Sequence, residues 1–117
     1  MNNPIVYDYK GSEISFISGE NVMINATQMA KPFGKRPIDY LRLPSTNELL
    51  NAIVRKSHID ENQLVRTERG GDNPGTWMHE DVALDFAQWL SVDFRLWCND
   101  RIKELLKTGV TTVSNDD

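Results

Sequence analysis

Proline and glycine punctuation between residues 25 and 44 sets the tightest limit on this chain. Pro32, Gly34, Pro37 and Pro44 fall within thirteen residues. Each proline lacks an amide and crowds the turn before it, so no long helix can cross this stretch. The segment must fold as short helices joined by tight turns. Asn25 caps the first, with Gln28 three residues on as a capping-box partner. Ala26, Met29, Ala30 and Phe33 form its apolar stripe, and Pro32 ends or distorts it near Phe33. Gly34 suits the position just past a helix end, and Pro37 the first position of the next. The pattern therefore gives a helix over 25–33, a turn over 34–36 and a helix over 37–43 stopped by Pro44. On the second helix Ile38 and Leu41 face inward, Arg36, Asp39 and Tyr40 point away, and Arg42 lies on the flank. Leu43 turns in against the next element.

The rest of the chain alternates between strand and helix patterns. Residues 5–9 and 13–17 alternate as a hairpin around Lys10-Gly11-Ser12, and Val22-Met23-Ile24 is a short third strand. Ser45-Thr46-Asn47-Glu48 reads as a capping box for a helix to about Ser57, buried through Leu49, Leu50, Ile53 and Val54. A polar loop over 60–63 follows. Strands at 64–67 and 76–78 flank a tip, 68–75, that holds three glycines and a proline. His79 or Glu80 opens a helix to Leu90. Ser91 caps a last helix over about 92–107, lined by Phe94, Trp97, Cys98, Ile102, Leu105 and Leu106. Residues 1–107 then make one domain, and 108–117 a frayed tail or the start of a linker. The class is α+β: a winged helix-turn-helix-like domain with an N-terminal β-hairpin or short sheet, four to five helices and a β-hairpin wing.

Composition excludes several classes. With 39% hydrophobic and 26% charged residues, the 117-residue chain suits a soluble globule rather than a disordered or fibrous one. The lone Cys98 rules out an intramolecular disulfide and suits a reducing compartment. Uninterrupted apolar runs are far too short to span a membrane, and the N-terminus carries no secretion signal. A cytoplasmic location is expected. Catalysis is not expected. His79-Glu80-Asp81 lacks the second histidine of a zinc-protease helix, and Gly70 to Thr76 has no Gly-Lys-Ser/Thr of a phosphate loop. Two histidines and one cysteine are too few and too scattered for a zinc site. No cofactor, metal or small-molecule substrate is implied.

Charge localises the remaining function. The net charge is −4, yet residues 31–71 carry +3 through Lys31, Lys35, Arg36, Arg42, Arg55, Lys56, Arg66 and Arg69. An anionic polymer meets least repulsion there. Two short helices with a glycine turn resemble a helix-turn-helix, whose second helix enters the major groove by its N-terminal end. Arg66 and Arg69 flank the glycine tip, and such a wing can track the backbone or a narrow minor groove. Helix-turn-helix followed by basic hairpin is the element order of a winged helix. Trp77, Trp89 and Trp97 are read as core.

Several spaced motifs also carry a family resemblance. Ile24-Asn25-Ala26-Thr27-Gln28-Met29-Ala30, then Gly34-Lys35-Arg36-Pro37 through Tyr40-Leu41-Arg42-Leu43, resembles the opening of the KilA-N domain. Arg69-Gly70-Gly71 and Gly75-Thr76-Trp77-Met78-His79 resemble its middle. Asp81-Val82-Ala83-Leu84 through Phe86-Ala87-Gln88-Trp89-Leu90-Ser91, with Phe94 and Trp97, resembles its end. The likeness covers about residues 20–107. That family occurs in large DNA viruses, phages and bacterial genomes, often at the N-terminus of antirepressor-like proteins. It is similar to the fungal APSES domains, which are winged helix-turn-helix folds. The resemblance implies DNA binding through the helix from Arg36 to Leu43 and the tip from Arg69 to Asn73. The net acidity is a departure from the basic charge usual in a DNA binder.

Two functions follow as expectations. In the first, the chain is a sequence-preferring double-stranded DNA-binding module of a phage- or prophage-type regulator, nucleoid-associated in a bacterial cell or infected host. Arg36, Asp39, Tyr40 and Arg42 read or clamp the major groove, with Lys31 and Lys35 beside them. Thr27 and Gln28 hold phosphate at the first helix's N-terminus. Arg66, Arg69, Gly70, Gly71 and Asn73 meet backbone or minor groove. A homodimer or an additional C-terminal domain would supply further affinity. In the second, the same fold has lost DNA affinity and serves as a protein-interaction module. The first function requires both cationic tips to converge on one side of the molecule.

Overall fold

The computed structural model describes residues 3–115, with side chains over 3–107. Five antiparallel strands form one sheet in the order β1-β2-β3-β5-β4. β1 (Ile5–Tyr9) and β2 (Ser12–Ile17) pair as a hairpin, with Tyr9 opposite Ser12. Lys10 and Gly11 make its two-residue turn, both at positive φ, as a tight hairpin of right-handed twist demands. β3 (Met23–Asn25) bridges β2 to β5 (Gly75–His79), and β4 (Val65–Glu68) forms the far edge. The expected wing is thus not a separate ribbon at its base. Through β5 it joins the same sheet as the N-terminal hairpin.

Six α-helices and a 3-10 turn are found among the described residues. α1 (Ala26–Ala30) gives way to the 3-10 turn Lys31–Phe33, where Pro32 withholds its amide. Gly34 follows in the left-handed region at φ 65°. α2 (Pro37–Leu41) starts on its proline, as the sequence indicates. Pro44 does not merely stop that helix. It is the first residue of α3 (Pro44–Ser57), whose N-cap is Leu43 with no side-chain cap. The Ser45 capping box is not formed; Thr46 Oγ1 instead donates to the Tyr40 carbonyl at 2.7 Å. The expected loop at 60–63 is replaced by a one-turn helix, α4 (Glu61–Leu64), closed by a reciprocal Asp60–Gln63 capping box.

α5 (Glu80–Leu90) is capped by His79, whose Nδ1 accepts from the Asp81 amide at 3.1 Å. α6 (Val92–Asn115) follows after a break at Ser91, whose Oγ accepts from the Phe94 amide at 3.3 Å. Residues 108–115 continue this helix where a frayed tail is expected, and 116–117 lie outside the described residues. The core forms where α1, α5 and α6 cover the sheet. Ile14, Phe16, Ile24, Met29, Met78, Phe86 and Phe94 are fully enclosed there. Tyr9, Phe33, Phe94 and Trp97 add an aromatic cluster with ring centroids 4.7–6.2 Å apart.

α2 is rotated relative to the helical wheel. Tyr40 is 1% exposed, while Ile38 faces solvent. The Tyr40 ring lies 5.1 Å from Phe86 and 5.9 Å from Trp89, and its hydroxyl donates to Asp85 Oδ2 at 2.6 Å. An aromatic buries more area than an isoleucine and here also satisfies its polar end, so it sets the orientation of a five-residue helix. Tyr40→Phe removes a hydrogen bond to a charged acceptor. It should cost about 1.5–3 kcal/mol in urea unfolding at pH 7.

Candidate nucleic-acid interface

The interface is built outward from Asn25. This buried residue ends β3 and caps α1, its Oδ1 accepting from the Gln28 amide at 3.0 Å. Its Nδ2 donates to the Pro74 carbonyl at 3.0 Å, at the end of the glycine-rich tip. Two residues beyond, Thr27 Oγ1 accepts from the Thr76 amide at 3.0 Å. Within the hairpin, Trp77 donates from Nε1 to the Asn73 carbonyl at 3.0 Å. The root of the tip is therefore clasped to the N-terminus of α1. This arrangement is absent from the motif reading, which saw Asn25 only as a cap. No local pattern signals it, since the partners stand 49 positions apart.

The expected site residues fall into distinct settings. Arg36 and Arg42 are well exposed, their side chains 72% and 70% accessible. Asp39 lies between them, 3.5 Å from Arg36 and 3.9 Å from Arg42. Such exposed pairs are worth at most about 1 kcal/mol, so both guanidiniums can exchange partners at little cost. Lys31 and Lys35 are also exposed, and the Lys35 ammonium sits 4.5 Å over the Trp89 ring. Tyr40 does not belong to this surface, because its hydroxyl and ring are committed to α5. Gln28 is committed as well: its Oε1 accepts from the Ser15 amide at 2.6 Å, so the reciprocal half of the expected capping box gives way to a tie to β2.

On the hairpin, Arg66 Nε meets Glu68 Oε2 at 2.8 Å, which spends part of its charge locally. Arg69, Gly70 and Gly71 are exposed, and both glycines take positive φ, 72° and 74°. Arg66, Glu68, Gly70, Gly71, Asp72 and Asn73 surround an open depression of about 510 Å³ against Ile17 and Trp77. Its two carboxylates offset the arginine, so the depression is no ready-made phosphate pocket. Among the described residues no group of histidine, cysteine or carboxylates is placed to hold a metal ion. Likewise no helix among them is long and apolar enough to cross a membrane.

The chain is an α+β domain whose sheet carries a glycine-rich hairpin tied to a pair of short helices. It belongs to the KilA-N domain family, whose profile matches residues 7–108. The chain is 34% identical over 92 residues to the Protein kilA of Escherichia phage P1, covering 76% of this chain and 33% of that protein. It is 25% identical over 107 residues to the putative KilA-N domain-containing protein L4 of Acanthamoeba polyphaga mimivirus, covering 89% and 24%. Putative KilA-N domain-containing protein 006L of Invertebrate iridescent virus 6 is 28% identical over 85 residues, covering 67% and 24%. The chain thus spans a quarter to a third of the length of these relatives. No solved structure matches it.

Proposed function

We propose that the chain is a sequence-preferring double-stranded DNA-binding module of a phage- or prophage-type transcriptional regulator, acting in the cytoplasm at the nucleoid. Residues 1–107 form the module. The helix-turn-helix is α1 and α2, and the wing is the β4–β5 hairpin. The observation that carries this reading is the exposed Arg36–Asp39–Arg42 set on α2, in a domain whose glycine-rich tip is clasped to α1. Membership of the KilA-N family, with a phage relative, supports it.

In this reading Arg36 and Arg42 leave Asp39 for guanine edges or phosphates, and Asp39 accepts from a cytosine amine. Lys31 and Lys35 stand beside them against the backbone. Arg66 and Arg69 meet backbone or minor groove, with Gly70 and Gly71 allowing close approach and Asn73 at the rim. Thr27 and Gln28 act indirectly here, fixing the start of α1 to the hairpin and to β2 through Thr76 and Ser15. No catalytic step, cofactor or small-molecule substrate enters.

A fluorescence titration against mixed duplexes tests this. Neutralising about four phosphates gives a slope of log K against log[salt] near −3.6. Arg36→Ala with Arg69→Ala should halve that slope to about −1.8 and lower affinity at every salt concentration, with the circular dichroism spectrum unchanged. Equal affinity in the double variant would remove the site assignment. Salt-insensitive or absent binding by the unmodified chain would instead favour a protein-interaction module on the same fold.

A further inference from the structure

Trp89, expected in the core, is only half buried, and Lys35 from the turn between α1 and α2 lies over it. Its ring stacks on Phe86 at 5.9 Å and tilts against Tyr40 at 5.9 Å, so α5 and α2 fix it together. The exposed Lys35 places its ammonium 4.5 Å from the ring centroid, within reach of the negative π face. The Lys35 amide donates to the Ala30 carbonyl at 3.2 Å, which sets the backbone of the turn. The other cations of the candidate interface are held differently. Arg36 and Arg42 share Asp39, and Arg66 meets Glu68. Lys31 and Arg69 make no ion pair among the described residues, and no side-chain contact there holds either of them. Asp85, one turn before Trp89 on α5, accepts from the Tyr40 hydroxyl and forms no ion pair with Lys35. Among these cations, Lys35 alone is held by a neutral partner.

We propose that Trp89 is a positioning residue of the DNA interface, holding the Lys35 ammonium ready for a backbone phosphate; this rests on the DNA-binding reading above. A carboxylate orders a cation but offsets its charge, and it must be displaced when a phosphate arrives. The indole ring does neither. Its quadrupole attracts the ammonium on one side, and the remaining N–H donors stay open to a phosphate oxygen. A lysine loses rotamer freedom when DNA immobilises it, and here part of that loss has already occurred on folding. Trp89 touches no DNA itself and acts through Lys35.

Two measurements on the 117-residue chain test this. In NMR spectra of the free protein, the ring current should shift the Lys35 side-chain methylene protons upfield, and Trp89→Leu should return them to ordinary lysine positions. In titrations of a labelled mixed-sequence duplex, Trp89→Leu should weaken binding by about two- to fivefold. Trp89→Phe, which keeps an aromatic face, should lose less. Lys35→Met should bring the slope of log K against log[salt] to about −2.7. In a Lys35→Met background Trp89→Leu should cause no further loss, whereas a merely structural role would cost the same in both backgrounds. Circular dichroism checks that each variant is folded, and the same cycle run with Trp89→Phe carries the comparison where Trp89→Leu destabilises the fold. Ordinary Lys35 shifts in the free chain would overturn the proposal whether or not DNA binds. Equal losses in both backgrounds, or an unchanged salt slope in Lys35→Met, would overturn it and leave the DNA reading in place. A chain that binds no duplex would overturn both.

Discussion

Replacing Gly75 with alanine will destabilise the domain by about 2–4 kcal/mol, one of the largest costs of any single methyl group in this chain. Two independent terms add. Gly75 has φ of +132°, which L-residues rarely adopt. A Cβ there would also lie 2.8 Å from Asn25 Oδ1 and 2.9 Å from its Nδ2. Asn25 is buried and cannot retreat without abandoning both the α1 cap and the Pro74 carbonyl. Gly70 supplies the control. It has φ of +72° with nothing within 4 Å of a Cβ, so Gly70→Ala carries only the backbone strain. A double-mutant cycle isolates the clash. In an Asn25→Ala background the cost of Gly75→Ala should shrink by about 1–3 kcal/mol. Additive effects would show that the two side chains do not compete for this space.

Much of what depends on local chemistry is legible in the sequence. The Asn25 cap, the Gly34 turn, the Pro37 start and the Ser91 break all stand where residue type put them. So do the five strands, within a residue or two. The larger departures lie where a tertiary partner outvotes a local rule. Tyr40 was turned outward by periodicity, and nothing in residues 37–43 announces Phe86, Trp89 and Asp85 waiting on α5. Gln28 matches a capping-box pattern, but a β2 amide claims its side chain. Asp60–Gln63 satisfies the same pattern and went unrecognised because the helix it opens is a single turn. The candidate site shows the same division. Its exposed arginines could be listed from the charge distribution. The clasp joining Asn25 and Thr27 to the far hairpin spans 49 positions, beyond any local pattern.

Stability should fall steeply in alkali, beginning near pH 9. Burial pushes the Cys98 thiol up to about 12, with Arg101 pulling weakly the other way. Burial, followed by the Asp85 hydrogen bond and carboxylate charge, raises Tyr40 well above the ordinary tyrosine value of 10.0. Both groups are neutral when protonated. In the unfolded chain each releases its proton near its ordinary value while the folded chain retains it. The unfolded state is therefore favoured as pH rises, and the stability these groups contribute is fully present only below about pH 9. Each adds a slope of about 1.4 kcal/mol per pH unit across its window. Cys98 acts alone from 9 to 10, and Tyr40 joins it above 10. By pH 12 the combined loss reaches several kcal/mol, a large part of the total stability of a small domain. Urea titrations at intervals from pH 8 to 12 measure this curve. Tyr40→Phe should flatten it above pH 10 by about 1.4 kcal/mol per unit, although the variant is less stable at neutral pH. Cys98→Ala should flatten it from pH 9. A Tyr40→Phe curve parallel to that of the unmodified chain would show that the hydroxyl is free to ionise in the folded state, contradicting its place between α2 and α5.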